Sequence, residues 1–140
     1  MKNPEDKMLE GIESKREELA SRFARYRSDN HSQFEKAIET ALGGCVKKHV
    51  FLPSGRSIYT VVGSNADEFI DSETSFCSCE SYFYGVLSGR IERCYHVLSY
   101  MIADEAGLIQ EVEFDDQEYD TFLQLLASDV LRSRERKKPS

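Results

Sequence analysis

The chain has 140 residues, 40% of them hydrophobic, which is enough for one compact domain but short of the size at which a second core is expected. Its 25 acidic and 18 basic residues leave a net charge of −7, whereas proteins that bind nucleic acid unaided usually present a basic surface. No apolar run approaches the ~20 residues that a membrane helix needs, and residues 1–6 do not resemble a signal peptide. We therefore expect an intracellular protein without membrane contact, cytoplasmic in a prokaryote or nuclear in a eukaryote.

Residues 1–49 form a predicted helical segment. Between Glu5 and Arg27, apolar residues recur at spacings of three and four, interrupted by Arg16: Leu9, Ile12, Leu19, Phe23 and Tyr26. A second helix is predicted to begin near Ser32, where Glu35 suggests a capping box, and to end at Gly43-Gly44. Its apolar face comprises Phe34, Ile38, Ala41, Leu42 and Cys45. We expect both helices to pack on the core, and the first is the better interface candidate because its stripe is narrow and its other faces are charged.

Residues 50–106 are predicted to hold a small antiparallel sheet followed by a metal-binding finger. Extended segments are expected at residues 50–52, 58–62, 69–70 and 75–76, separated by turns such as Pro53-Ser54-Gly55-Arg56. A short helix is expected over residues 80–87. A longer one is expected over residues 95–105, with Gly107 at its end.

Four residues in this segment, Cys77, Cys79, Cys94 and His96, have the spacing of a zinc site. They form Cys-x-Cys and Cys-x-His pairs separated by a fourteen-residue gap. Ligands two apart within a regular strand or helix point in different directions, so each pair must lie where such an element begins or ends. Three Cys and one His fill the tetrahedral shell of Zn²⁺, which predicts a structural site without an open catalytic position.

Other interpretations of these residues remain open. Free cysteines are often small buried hydrophobic groups, and a lone His is often a core residue. A Cys-His pair can also be nucleophilic, but nothing marks a third, orienting group or an oxyanion hole, and redox dithiols usually have Cys-x-x-Cys spacing. The paired spacing favours zinc, and we expect no enzymatic activity and no small-molecule substrate.

The spacing of the four residues resembles that of the SWIM-type zinc finger, in which Cys-x-His opens a helix. The preceding stretch, residues 51–64, resembles the small SWIM proteins of Shu-type recombination complexes, and the two regions together cover residues 50–103. The resemblance implies that the four residues bind zinc and that the protein pairs with a RecA-fold recombinase paralogue to support homologous recombination and DNA repair. The chain departs from the pattern of many SWIM fingers at two positions, with Glu80 in place of Pro and Tyr95 in place of Lys. The missing Lys weakens the case for direct DNA contact.

Charge is distributed unevenly among the three predicted segments. Residues 50–103 carry three basic and six acidic residues, and residues 104–140 carry five and ten. Arg56, Arg90 and Arg93 are the basic residues of the finger region and therefore the candidates for DNA contact, although solvated loop charges are the ordinary interpretation. A SWIM finger that binds nucleic acid directly is the alternative to an adaptor that reaches DNA through its complex.

Residues 107–140 are predicted to form an acidic stretch and a final helix with a basic tail. The acidic stretch covers residues 111–120, and the tail covers residues 132–138. Apolar residues lie on overlapping faces of the predicted helix: Tyr119, Phe122, Leu123, Leu126, Val130 and Leu131. The sequence as a whole predicts an α+β fold, with N-terminal helices, a small sheet, a zinc-clamped strand-turn-helix finger and a C-terminal helix.

Overall fold

The computed structural model describes residues 3–63 and 67–137, except for the side chains of residues 130 and 132–137. A five-stranded sheet lies at its centre, with the strand order β4-β3-β2-β1-β5. The strands are β1 (Val46–Leu52), β2 (Arg56–Val62), β3 (Asp67–Asp71), β4 (Phe76–Cys77) and β5 (Gln110–Asp115). The first four form an antiparallel meander, in which Val46 faces Val61 and Ile70 faces Cys77.

Four α-helices accompany the sheet: α1 (Pro4–Arg22), α2 (Phe34–Leu42), α3 (Tyr95–Ala106) and α4 (Tyr119–Lys137). A 3₁₀ helix, Ala24–Asp29, follows α1, and a π-helical segment, Tyr82–Val86, precedes α3. The main core lies where α2, α3 and the end of α1 meet one face of the sheet. Helix α4 contacts β3 and places its aromatic residues against β1 on the other face. The predicted α+β class is confirmed, whereas the division into segments at residues 49 and 106 stays a prediction.

The four predicted strands form an antiparallel sheet, as expected, but the whole sheet is mixed because it has a fifth strand that the sequence analysis missed. Residues 110–115 form the edge strand β5 parallel to β1, with Val112 beside His49 and Phe114 beside Phe51. The alternation of Val112 and Phe114 with Glu111 and Glu113 is the two-residue period of a strand. Its acidic composition had suggested only a connecting stretch, but charged residues are common on exposed edge strands.

Three expectations for the N-terminal helices were also wrong. Leu9 and Ile12 are 58% and 44% exposed, so the first half of α1 does not pack on the core. Helix α2 begins at Phe34 with Gln33 as its N-cap and no side-chain cap, and the Ser32 hydroxyl instead donates a hydrogen bond to the Asn30 side chain at 3.2 Å. Cys45 lies between α2 and β1 and is half-buried, outside the helical face.

The predicted C-terminal helix is present as α4 in the part of the chain that the structure describes. Tyr119 and Phe122 pack against Phe51, whereas Leu131 is exposed. The predicted role of Val130 and the contacts of the basic tail, residues 132–138, lie outside the described side chains. Within the described ranges, no helix combines the length and apolar character needed to cross a membrane.

Candidate metal centre

The candidate metal centre lies where β4 ends and α3 begins. Cys77 is the last residue of β4, and Cys79 follows it after one residue. Cys94 is the N-cap of α3, and His96 lies in the first turn of that helix. Each predicted pair therefore spans the boundary of a regular element, which is the arrangement that the two-residue spacing requires.

The turn after β4 is fixed by its pairing with β3. The Ser78 N–H donates to the Phe69 carbonyl at 3.1 Å, and the Phe69 N–H donates to Ser78 Oγ at 2.9 Å. These two bonds continue the β3–β4 pairing past its last strand residue. They hold Cys77 and Cys79 on either side of an anchored Ser78.

The start of α3 is fixed by backbone geometry and burial. Cys94 has an extended backbone (φ −74°, ψ 163°), and its carbonyl accepts the Leu98 N–H at 3.1 Å, which closes the first turn. Val97 and Leu98 are buried in the core immediately after His96. At the other end, Gly107 has a φ of +71°, the left-handed conformation that ends helices, as the sequence predicted.

The structure brings the four predicted ligands into one buried cluster. The three Sγ atoms and an imidazole nitrogen all lie within 4.8 Å of one another, and every one of the four residues is buried. In a tetrahedral zinc site with Zn–S bonds of about 2.3 Å, the sulfurs are about 3.8 Å apart, so the observed spacing suits zinc. His96 Nδ1 is also buried without a hydrogen-bond partner in the part of the chain described. An orphaned imidazole nitrogen beside three thiols fits a metal ligand.

The titration of the thiols points to the same donor chemistry. Hydrogen bonds from Cys77 and Cys94 lower the pKa of Cys79, and a bond to His96 acts in the same direction. Hydrogen bonds to Cys79 and Cys94, together with burial, raise the pKa of Cys77. The three buried sulfurs are so close that they compete for the ionised form, and only one of them, that of Cys79, is favoured as a thiolate. A divalent cation removes that competition by stabilising all three thiolates.

Tyr95, between the two α3 ligands, supports the site in a way that sequence reasoning missed. Its ring lies on that of His96 with centroids 3.9 Å apart, and the Lys36 ammonium from α2 lies 4.4 Å from the Tyr95 ring centre. Burial, and then the nearby Cys79, raise the pKa of Tyr95 to about 12. The chain therefore places a neutral aromatic ring next to the ligands and supplies a cation from another helix. Only the distance between Lys36 and Tyr95 in the fold reveals the pair, since nothing in the local sequence links them.

The three arginines predicted as DNA contacts are held by interactions within the chain and are not brought together at one site. Arg56 lies 4.0 Å from Asp116 and stacks on Tyr119, near the β1–β2 turn. Arg90 donates hydrogen bonds to the Tyr84 carbonyl and Ser88 Oγ of its own loop. Their contact with DNA stays a prediction.

Arg93 differs from the other two because its partner is buried. It forms an ion pair with Asp29, whose side chain is 5% exposed. The pair joins the loop before α3 to the 3₁₀ helix after α1. This arginine is therefore engaged in holding the finger to the N-terminal helices.

Comparison with known proteins finds similarity to a SWIM-domain protein. Over 76 residues the chain is 33% identical to a Dictyostelium discoideum protein named "Zinc finger SWIM domain-containing protein 7 homolog". With that likeness and the buried Cys₃His cluster, the resemblance predicted from the sequence is confirmed. The chain is therefore similar to a SWIM-domain zinc-finger protein and has a Cys₃His cluster that suits zinc. The match covers 53% of the chain, which spans about half (49%) of the length of the relative.

The Cys₃His cluster of this chain is a closed site. Its three cysteines and one histidine supply the four protein ligands of a structural zinc ion, and the predicted zinc cofactor suits them. No protein-family model matches the chain, and no solved structure matches it.

Proposed function

We propose that this protein is a zinc-binding adaptor in homologous recombination or DNA repair, and that it pairs with a RecA-fold recombinase paralogue. The observation that carries the proposal is the Cys₃His cluster in a chain similar to a SWIM-domain protein. A bound zinc ion would fix the start of α3 against the end of β4 and would leave no coordination position for a substrate. Zinc would therefore act through the shape of the finger.

The charge of the chain supports an adaptor over an independent DNA-binding protein. The net charge is −7, and three thiolates on one Zn²⁺ add a local charge of −1. Arg56 and Arg93 are paired with carboxylates of the same chain. DNA affinity would then come mainly from the partner.

The direct test is affinity purification of the tagged protein from its own cells after nuclease treatment, followed by mass spectrometry. We expect a RecA-fold ATPase in stoichiometric amount. A Cys94→Ser variant should lose it, and a Cys45→Ser variant should keep it, because Cys45 lies outside the cluster. If no such ATPase is recovered with the wild-type protein, the proposal fails.

The alternative is a SWIM finger that binds nucleic acid directly. Purified protein would then bind DNA or RNA on its own, with an affinity that falls steeply with salt concentration. The adaptor should bind little until its partner is added. A binding titration at two salt concentrations, with and without the partner, distinguishes the two functions.

A further inference from the structure

The two edges of the sheet differ in length and regularity. At one edge, β4 has only two residues, Phe76–Cys77, before the chain turns into the metal centre. At the other, β5 has six residues, Gln110–Asp115, and pairs with β1 from end to end without a bulge. Short strands, bulges and prolines prevent unwanted pairing at the edges of native sheets, and β5 has none of the three. It therefore offers another strand about 20 Å of regular backbone.

The outer side of β5 is open in the part of the chain that the structure describes. Strand β5 is the last in the order of the sheet, and its pairing partner is β1. Five of its six residues are exposed, and Phe114 is half-buried. In a strand with one neighbour, alternate residues direct their N–H and C=O groups away from the sheet. An added strand would form its hydrogen bonds with these groups.

The two faces of β5 carry different side chains. Val112 and Phe114 lie on the face that α4 covers, where Phe114 packs against Phe122 and Val112 is 37% exposed. Glu111 and Glu113 lie on the opposite face and are exposed. A strand added beside β5 would therefore place its alternate residues next to an apolar side and an acidic side.

The acidic side of β5 is uncompensated at its centre. Residues 110–118 contain five acidic residues and no basic one. Asp116 pairs with Arg56. Neither Glu111 nor Glu113 forms an ion pair within the described ranges. In antiparallel pairing of two β5 strands, these glutamates would lie beside acidic residues of a second copy, which is unfavourable, whereas a strand with Lys or Arg at alternate positions complements them.

The lysines of the neighbouring strand leave this acidic side uncovered. Lys48 lies beside Glu111, but its ammonium is 5.8 Å from the centre of the Tyr59 ring on β2, the strand on the other side of β1. Lys47 lies on the opposite face of the sheet from Lys48, because successive residues of a strand alternate. Both lysines are thus turned away from the acidic side of β5.

We propose that β5 is the docking strand of this adaptor and that an extended, basic segment of its protein partner adds to the sheet beside it. The inference rests on the proposed function and names the surface that performs it. Alternate residues of the added segment would be Lys or Arg beside Glu111 and Glu113, and apolar beside Val112. Backbone hydrogen bonds would supply affinity, and the alternation of side chains would select the partner.

The first test compares charge reversals at the two edges of the sheet. Glu113→Lys should weaken binding of the co-purified ATPase about tenfold or more. Glu73→Lys makes the same change to the net charge in the turn before β4 and should change binding by no more than about twofold. Both glutamates are exposed, so zinc content and thermal midpoint should match those of the wild type. Equal binding by wild type and Glu113→Lys would overturn the docking strand while leaving the adaptor function intact.

Amide hydrogen exchange, followed residue by residue, distinguishes strand addition from a contact between charges alone. In the free protein, the β5 amides that point away from β1 should exchange much faster than the amides of β1. In the complex with the ATPase they should become protected. Unchanged exchange at these amides in the complex would overturn strand addition, even if Glu113→Lys weakens binding. Protection that increases with the concentration of the free protein would show pairing between two copies and would overturn the basic partner.

A photo-cross-linking residue in place of Val112 identifies the added segment and keeps both glutamates of β5. We expect a cross-link from position 112 to a segment of the ATPase with basic residues at alternate positions, and none from position 73. A cross-link between two copies of this chain, or no protein cross-link from position 112, would overturn the inference. If position 112 captures another identified protein, and the purified components bind with the same dependence on Glu113, the docking strand stands and the proposed ATPase partner falls.

Discussion

On one face of the sheet, Val46, Val61 and Ile70 pack under α2 and α3 next to the zinc ligands, whereas on the other face His49 and Phe51 lie under the aromatic side chains of β5 and α4. Alternate residues of β1 supply the two faces, because successive strand side chains point to opposite sides. The first face combines close apolar packing with a metal site, and the second relies mainly on the packing of aromatic rings. Zinc should therefore stabilise the fold through the first face, whereas the second face should contribute to stability through side-chain contacts.

The largest effect should follow loss of zinc. Structural zinc sites have apparent binding free energies of about 10–16 kcal/mol, comparable with the whole stability of a small domain. We expect Cys94→Ser, or stripping of the metal by a chelator, to abolish the cooperative thermal transition followed by circular dichroism. Acid should release zinc in the same way, since thiolate and imidazole ligands must lose protons to bind it.

Cys45→Ser is the matched control for that experiment, because it changes the same residue type outside the cluster. It should retain one zinc ion and a wild-type melting curve. An unchanged transition in protein shown by metal analysis to contain no zinc would contradict the structural role of the site.

A smaller effect should come from the α4 face. Phe51 is fully buried, and its ring lies 5.5 Å from that of Phe114, 5.0 Å from that of Tyr119 and 5.5 Å from that of Phe122. Phe51→Ala should lower the free energy of unfolding by about 3–5 kcal/mol in urea titrations while zinc stoichiometry stays unchanged. Loss of zinc from natively folded Phe51→Ala protein would show that the two faces are not separable.

Leu125→Ala is the control on the same face. Leu125 lies on α4 but is 66% exposed, so its truncation should change the free energy of unfolding by no more than about 0.5 kcal/mol. A loss close to that of Phe51→Ala would mean that α4 buries a different side of itself.

The finger was predictable from sequence because its information is local. Cys-x-Cys and Cys-x-His restrict both chemistry and geometry, and the apolar spacing after His96 marks the helix that the second pair must open. Lys36 could not be associated with Tyr95 in the same way, because α2 and α3 are distant in sequence and meet only through packing. Local patterns identify ligands well and identify the groups around them poorly.

The failures in the rest of the fold have two physical causes. The sequence analysis missed strand β5 because of its acidic composition. Glu111 and Glu113 suggested a connecting stretch, although Val112 and Phe114 alternate with them as in a strand. The stripe of α1 shows which side of the helix is apolar, but periodicity carries no information on what covers that side. Leu19 and Ile12 belong to the same apolar pattern but have opposite environments, because α1 extends beyond the core on which its C-terminal end packs.

A third prediction concerns the ion pair on the zinc side of the sheet. Asp29 is 5% exposed and pairs with Arg93, whose side chain is 33% exposed. Arg93→Ala would leave a buried carboxylate without its cation, and we expect a loss of about 1–3 kcal/mol in the free energy of unfolding. Arg90→Ala is the control, since Arg90 is exposed and its hydrogen bonds among the described residues lie within its own loop, and it should cost about 1 kcal/mol or less. Equal losses for the two variants would show that the Asp29 pair does not tie the finger to the helices.

The smallest effect, and the one that probes the α4 face most selectively, is the pH dependence that His49 introduces. Burial, and then the nearby Lys47, lower the pKa of His49. Its Nε2 lies 2.9 Å from Thr60 Oγ1, and its Nδ1 is buried without a partner among the described residues. Below a pH of about 6.5 an unfolded histidine binds a proton that folded His49 does not, so the free energy of unfolding should fall as the pH drops from there toward the lowered pKa.

His49→Gln should remove this part of the pH dependence, and His31→Gln, a change at an exposed residue outside the sheet, should keep it. Urea titrations of the three proteins at pH 7.5 and pH 5.5 with excess zinc isolate the effect, because all three have the same metal site and share any loss caused by ligand protonation. The wild type and His31→Gln should lose more stability between the two pH values than His49→Gln does. Equal losses in all three would mean that His49 is protonated as readily in the folded chain as in the unfolded one, and that the face under α4 admits a charge that its aromatic packing should exclude.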